Sequence, residues 1–322
     1  MKAAVYSAYG SPDVLSIAEV ATPVPGEGEV LVRVSATSVN DYDWHLLTGR
    51  PLLNRASGLM RPRYPVLGSD VAGRVEALGA GVTGVEVGDE VFGDVSPHGF
   101  GAFAEYVTAP ASAFAPVPAG LTMQQAAAVP QAGGLAVMGL TRTRGVRAGD
   151  QVLVNGAGGG TGTFAVQIAK AAGAEVTAVD AQHKLDRLRE LGADRVLDYA
   201  VDDFTAGGER YHVILDVFAY RSIRTYKRCL RPGGVCAVTG GRLPTVFWIL
   251  AAGQVASRVG DRHVTVPMWR PNDPGEVAEL SRMLEAGAVV PVVDSVFSLD
   301  DLAGAFRRFG AQQHVGKIVI TC

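Results

Sequence analysis

Residues 151–162 read QVLVNGAGGGTG, and this segment constrains the fold more than any other. A short apolar run, a glycine-rich turn and the start of an amphipathic stretch (TFAVQIAKAA, 163–172) follow one another, and EVTAVD (175–180) supplies a second apolar run. Strand, turn, helix and parallel strand in that order form a βαβ unit. The turn matches G-x-G-x-x-G with Ala157 in the first glycine's place, followed by Gly158, Gly159, Gly160, Thr161 and Gly162. Gly159 lets a pyrophosphate approach the backbone, and Gly162 lets the helix pack closely on the strand. Free N–H groups at the start of helix 160–172 favour an anion there. The pattern predicts a dinucleotide site.

The second strand ends at Asp180, 18 residues beyond Gly162. An acid at this place accepts a hydrogen bond from a ribose 2′-hydroxyl and repels a 2′-phosphate, which favours NADH. His183 and Lys184 follow at once, and a cation there favours NADPH. Local chemistry leaves both open.

Around this unit the chain divides. The first third carries short strands rich in Val and aromatics at Ala3–Tyr6, Glu29–Ser35, Ala72–Leu78, Glu90–Phe92 and Phe103–Val107, punctuated by Gly and Pro. That rhythm predicts an antiparallel, barrel-like domain. From Leu121 helices and buried strands alternate. Residues 121–140 are helical apart from Pro130; a helix spans 184–191, and strands follow at 195–199, 212–216 and 234–240. Apolar strands alternating with helices imply a parallel sheet covered on both faces. A helix at Pro274–Ala286, a strand at Val292–Phe297, a helix at Leu299–Phe309 and a strand at Lys317–Thr321 close the chain.

Composition excludes several classes. In 322 residues, hydrophobic side chains make up 48% and charged ones 19%, which rules out intrinsic disorder. The 29 basic and 32 acidic residues leave a net charge of −3, without the basic field of a nucleic-acid binder. Cys229, Cys236 and Cys322 form no C-x-x-C, so no four-cysteine zinc lobe is expected, and the chain reads as reduced and cytoplasmic. The N-terminal segment lacks the apolar run of a signal peptide. The apolar stretch Val246–Ala252 is too short for membrane insertion.

Several segments together resemble the medium-chain dehydrogenase/reductase superfamily, and within it the zinc-free quinone oxidoreductase branch. They are SVNDYDWHLLTGR (38–50), PVLGSDVAGRVEALGAGVTGVEVGDEVFG (65–93), GAFAEYV (101–107), AAAVP (126–130), VLVNGAGGGTGTFAVQIAK (152–170), ELGADRVLDY (190–199) and GKIVI (316–320). The resemblance covers essentially the whole chain. It implies an α/β protein: a Rossmann doubly wound parallel sheet domain (121–267) plus a β-rich GroES-like barrel domain (1–120 and 268–322) that carries the catalytic and substrate residues. Zinc-dependent relatives place a Cys near position 40 and a His in a Gly-His-Glu turn; here stand Asn40 and Gly68-Ser69-Asp70. No Lewis acid is therefore expected. Short-chain reductases are disfavoured because no Tyr-x-x-x-Lys occurs.

The resemblance also implies site residues. A Lys after the second strand and a Tyr after the third hold a 2′-phosphate in the family; Lys184 and Tyr199 occupy those places. This tips the expectation to NADPH, with NADH left open by Asp180. Val217, after the fourth strand, Thr239 and Gly240, after the fifth, and Lys317 complete the expected cofactor contacts, although Phe218 and Tyr220 replace smaller residues. The nicotinamide lies between the domains in such folds, near Asn40, which is expected both to contact the cofactor and to assist catalysis. His45 stands where many relatives carry Tyr, and is the expected proton donor; the alternative is an exposed loop histidine. Tyr42 and His98 are weaker candidates, Asp43 is expected to buttress the loop, and His212 and His263 to be structural.

Without a metal, the substrates that suit are already activated for hydride addition: quinones, enones and enals. The alternatives are a zinc-free ketone reductase or alcohol dehydrogenase, and a non-catalytic NADPH-binding sensor or accessory protein. Residues 50–63, with Arg50, Arg55, Arg61 and Arg63, form either a loop favouring an anionic substrate or a solvated basic loop. The stretch 242–259 either roofs an apolar pocket or forms a subunit interface. A homodimer is expected.

Overall fold

The computed structural model describes residues 1–55, 58–257 and 260–322. Its compact units are Met1–Gln131 with Pro271–Glu285 and Pro291–Cys322, and Ala132–Arg270 with Ala286–Val290.

The first unit opens with β1 (Lys2–Val5), β2 (Ser16–Glu19), β3 (Glu29–Ser38), α1 (Asp41–Thr48), β4 (Asp70–Leu78), β5 (Glu90–Asp94), β6 (Tyr106–Pro110), β7 (Ala115–Pro116) and α2 (Met123–Ala127). The second contains α3 (Pro130–Thr141, starting at the boundary), β8 (Gln151–Asn155), α4 (Gly160–Ala171), β9 (Glu175–Asp180), α5 (Leu185–Glu190), β10 (Arg195–Asp198), β11 (Tyr211–Asp216), α6 (Ile223–Cys229), β12 (Leu230–Val238), α7 (Leu243–Ser257) and β13 (His263–Thr265). The chain then gives α8 (Pro274–Glu285), β14 (Val293–Ser298), α9 (Leu302–Gly310) and β15 (Lys317–Thr321).

In the second unit six parallel strands run in the order β10-β9-β8-β11-β12-β13. This is the doubly wound sheet expected from the alternation of apolar strands and helices, and β8 and β9 keep their expected bounds. Leu153, Ile214, Tyr226, Cys236 and Val238 are buried in one core. Pro130 does not interrupt one long helix but begins α3, where its missing N–H costs nothing. The stretch 246–252 lies in α7, a helix that exposes Phe247, Trp248 and Leu250. Arg258 and Val259, the end of the stretch 242–259, lie outside the described residues.

The first unit holds a seven-strand sheet, β14-β15-β3-β4-β5-β7 with β6 also on β3, antiparallel except where β14 meets β15. Valines 30, 32, 34, 71, 75, 91 and 107 form its interior. β3 runs on to Ser38, three residues past its expected end, because β15 pairs with Ala36–Ser38. α2 packs on β3, β4 and β15, so residues up to Gln131 fall within this unit. Trp44 of α1 stacks on Phe306 of α9 at 6.4 Å, and Phe103 meets the same ring edge-on at 5.7 Å.

Candidate active site and dinucleotide turn

The glycine turn is built by close backbone packing. The N–H groups of Gly156 and Ala157 both donate to the carbonyl of Val179, tying the turn to the end of β9. A side chain at Gly162 would put its Cβ 2.2 Å from the Gly156 carbonyl oxygen, so only glycine lets α4 start this near the turn. Gly159 is different: the nearest heavy atom to a Cβ there is 3.6 Å away, which leaves its face clear. Gly159 caps α4 without a side-chain acceptor, so the helix presents free N–H groups as a phosphate site requires.

Asp180 closes this turn. One carboxylate oxygen accepts from the Gly158 N–H at 2.7 Å, and the other accepts from Ala181 N–H at 2.8 Å. The latter oxygen also lies 3.5 Å from the Lys184 ammonium. Both side chains are buried. The Tyr199 N–H donates to the Asp180 carbonyl at 3.2 Å, while its ring is 60% exposed beside the turn's anchor. The three residues that sequence reasoning set against one another thus share one corner.

Val217, Thr239 and Gly240 gather at the C-terminal ends of β11 and β12. Val217 N–H donates to Asn155 O at 3.0 Å, and a Cβ on Gly240 would come 2.5 Å from Val217 O. The Thr239 hydroxyl is buried there and makes no hydrogen bond within the protein. An orphaned hydroxyl, an open Gly159 face and bare helix N–H groups fit NAD(P)H: the turn and α4 would hold the pyrophosphate, Lys184 and Tyr199 the adenosine end. Beneath these strand ends Asp216 accepts from Asn155 Nδ2 at 2.8 Å and from the Tyr226 hydroxyl at 2.7 Å. Burial pushes Asp216 above the usual carboxylate range. No sequence signal marked this pair, since Tyr226 lies inside a short helix with no motif.

The first unit assembles a second cluster. Asn40 caps α1 in a capping box with Asp43: its N–H donates to the Asp43 carboxylate at 3.0 Å. The Asn40 amide donates to Ser69 Oγ at 3.0 Å and to Asp70 Oδ2 at 2.8 Å, and its carbonyl accepts from the Lys317 ammonium. Lys317, 3% exposed, also donates to Val39 O at 3.2 Å and to Asp70 at 3.1 Å. All three of its protons are therefore used. Asp43 accepts from Gly68 N–H at 3.1 Å, so it buttresses the turn as its position suggested. Burial pushes Asp43 up to about 7. The donor set suits no cation: an ammonium already sits against the amide and carboxylate. Among the described residues no group of three or more His, Cys, Asp or Glu could hold a metal ion.

α1 carries the other two candidates. The Tyr42 ring meets Phe100 edge-on at 5.4 Å, and Phe100 lies 5.0 Å from Tyr64. Burial raises the Tyr42 phenol, so it keeps its proton. Phe100 has φ 65, a strained value for a bulky residue, between Gly99 at 109 and Gly101 at 111. No sequence signal singled out Phe100. His45 Nε2 is 3.0 Å from Asp41, and that hydrogen bond raises the imidazole above its ordinary value. Of the arginine loop, Arg55 stacks 4.6 Å over Tyr9 and donates to Gly49 O, a structural post; Ala56 and Ser57 lie outside the described residues. His212 accepts from Gln151 N–H at 2.9 Å, joining β8 to β11.

Comparison with known proteins agrees with this geometry. The alcohol dehydrogenase GroES-like domain family matches residues 26–119, and the zinc-binding dehydrogenase family matches residues 191–320. The 2-methylene-furan-3-one reductase of Solanum lycopersicum is 32% identical, covering 99% of this chain and 79% of the relative. The NADPH-dependent alkenal/one oxidoreductase of Arabidopsis thaliana is 31% identical over the same shares. The solved quinone oxidoreductase from Coxiella burnetii superposes with a TM-score of 0.87 at 25% identity, covering 100% of this chain and 99% of that one. A Rossmann sheet and a GroES-like β unit, with an ammonium against Asn40 and Asp70 and no metal-binding group among the described residues, define a metal-free NAD(P)H-dependent oxidoreductase. The chain belongs to the medium-chain dehydrogenase/reductase superfamily, in its zinc-free quinone oxidoreductase-like branch.

Proposed function

We propose that the chain uses NADPH to reduce the activated C=C bond of enones and enals, or the ring of quinones. The observation that carries this reading is the Asn40–Ser69–Asp70–Lys317 cluster, which offers no metal to polarise an isolated carbonyl. Acceptors whose own conjugation lowers the barrier are the ones left. The alkenal/one and furanone reductases among its relatives are named for such substrates. NADPH, when bound, supplies the hydride.

The chain's own residues then position and protonate. Asn40 keeps one carbonyl lone pair beyond its bond to Lys317 and fixes the start of α1. Tyr42 and its Phe100 and Tyr64 neighbours give an edge-on aromatic cluster for a conjugated ring to pack on. His45, whose hydrogen bond to Asp41 favours the protonated imidazole, donates the proton that the reduced oxygen or α-carbon takes up. For the cofactor, an Asp180 charge paired with Lys184 repels a 2′-phosphate less than a free one, which supports NADPH. Tyr199 is exposed to hydrogen-bond the same phosphate.

Assembly and location follow from the same features. α7 exposes Phe247, Trp248 and Leu250, and β13 ends its sheet with an open edge; a homodimer would cover both. The free thiols of Cys229, Cys236 and Cys322 suit a reducing cytoplasm. Among the described residues no helix is long and apolar enough to cross a membrane.

The test is a cofactor-oxidation screen against 1,4-naphthoquinone, trans-2-hexenal, 2-cyclohexenone and simple ketones, with NADPH and NADH in parallel. Turnover of the conjugated acceptors and none of simple ketones is expected. Preferential ketone reduction would move the chain to the alcohol dehydrogenase reading. Tight NADPH binding without turnover would move it to the sensor reading.

A further inference from the structure

Lys317 has a nearly fully buried side chain paired to a carboxylate; so has Lys184, which belongs to the dinucleotide turn. Its surroundings carry more negative charge than it can balance. Asp70 and Asp94 are directly opposed on β4 and β5, and both are fully buried. Asp43 of α1 is fully buried on the other side, linked through Ser69 Oγ at 3.4 Å. Like charges facing one another across a ladder repel, and buried charges need a partner.

The hydrogen bonds show which carboxylate the ammonium serves. Asp70 accepts from Ser38 Oγ at 2.7 Å, from Asn40 Nδ2 at 2.8 Å, from Gln131 N–H at 3.0 Å and from Lys317 at 3.1 Å. Such a set stabilises an anion. Asp94 accepts from Ser96 N–H at 2.8 Å with one oxygen, while its other oxygen is buried with no partner. Burial and the Asp70 charge push Asp94 up to about 6, and Asp43 is raised as well. The ammonium is thus committed to Asp70, and through Asp70 and Asn40 it reaches α1.

We propose that Lys317 is a positioning residue, not a cofactor ligand: it is the internal counter-ion of Asp70 and clamps the Val39–Asn40 peptide from which α1, Tyr42 and His45 project. This rests on the reading of Asn40, Tyr42 and His45 as the reacting residues. The groups facing the ammonium come from β3 (Ser38), the start of α1 (Asn40, Asp43), the residue before β4 (Ser69), β4 (Asp70), β5 (Asp94) and the start of α3 (Gln131). Among them Lys317 is the only cation, so its loss leaves Asp70 buried without a counter-ion. Asp70 must then take a proton for the cluster to close, and closure becomes favoured at low pH.

The full-length protein would be compared with Lys317→Met, Lys317→Arg and the double variant Asp70→Asn/Lys317→Met. Three quantities would be read: the NADPH dissociation constant by fluorescence, the urea midpoint, and kcat with 1,4-naphthoquinone, each between about pH 6 and pH 8. Lys317→Met should bind NADPH within about twofold of the parent, since its partners are all within the barrel unit. Its kcat should fall about tenfold or more near neutrality, as a displaced reacting group costs. Both its kcat and its urea midpoint should recover toward low pH more steeply than the parent's. The double variant should lose that extra steepness and regain stability, and Lys317→Arg should keep the parent's pH profile. If Lys317→Met alone is insoluble, a soluble double variant supports the counter-ion role and an insoluble one overturns it. A tenfold or larger rise in the NADPH dissociation constant with kcat unchanged would make Lys317 a cofactor contact and overturn the proposal. So would a Lys317→Met midpoint no steeper in pH than the parent's. Should the parent reduce no acceptor, the proposed function fails by itself, and the midpoint and double-variant arms still decide Lys317.

Discussion

The Asp180 carboxylate lies 3.5 Å from the Lys184 ammonium four residues later, with both side chains buried beside the dinucleotide turn. Neither therefore acts as an isolated charge toward a ribose. The acid's two oxygens hold Gly158 N–H and Ala181 N–H, and the lysine balances them.

For cofactor choice, Lys184→Ala removes the cation and leaves Asp180 facing a 2′-phosphate. NADPH should weaken about tenfold or more, as expected for a lost charge-assisted contact of about 1.5–3 kcal/mol, and NADH should change little. Asp180→Ser should weaken both cofactors, because the Gly158 anchor goes with the charge. Dissociation constants for both cofactors and all three proteins check this. A variant that loses NADH alone would return Asp180 to a direct ribose contact.

Two glycines of one turn should behave differently. Gly162→Ala forces a Cβ to 2.2 Å from Gly156 O and 2.5 Å from Ala157 Cα, rigid backbone on both sides. It should lower stability by about 1–3 kcal/mol, read from urea unfolding. Gly159→Ala meets nothing nearer than 3.6 Å and should fold normally while weakening either cofactor.

The buried acids set the pH dependence of stability. Asp43 is raised to about 7 and Asp94 to about 6, so the folded state holds protons that the unfolded chain has already released. Their contribution is full at low pH and is lost as pH rises through those values. Urea midpoints should thus fall between about pH 5 and pH 8, and Asp94→Asn should flatten part of that slope. A midpoint that rises across this range would contradict the protonated cluster.

His45 should set the alkaline limb of the rate profile. Its hydrogen bond to Asp41 raises it, so the protonated donor is present below the raised value and lost above it. Asp41→Asn should shift that limb to lower pH, and His45→Asn should remove it. An unchanged limb in both variants would exclude His45 as the proton source.

Sedimentation at micromolar concentration should find a dimer, with Trp248, 63% exposed on α7, inside the contact. Trp248→Glu should shift the population to monomer without loss of NADPH binding. A parent chain that sediments as a monomer would refute this assembly.

What the sequence determined by itself is local. Residues 151–180 announced a βαβ unit because a short apolar run, a glycine turn, a helical period and a second apolar run succeed one another without any distant partner. The missing zinc ligands were legible for the same reason: Asn40 and Ser69 occupy known places in short motifs. α7 escaped assignment because a helix apolar all round has no periodicity to betray it. The tertiary structure alone decided the rest. Lys317 meets Asn40 across 277 residues, and no spacing rule reports that an ammonium sits against this amide. Asp180 and Lys184 stand four residues apart in any reading, but only their burial closes them into a pair. Desolvation is a property of the folded interior, and it alone decides whether a written charge reaches a ligand or is spent inside the protein.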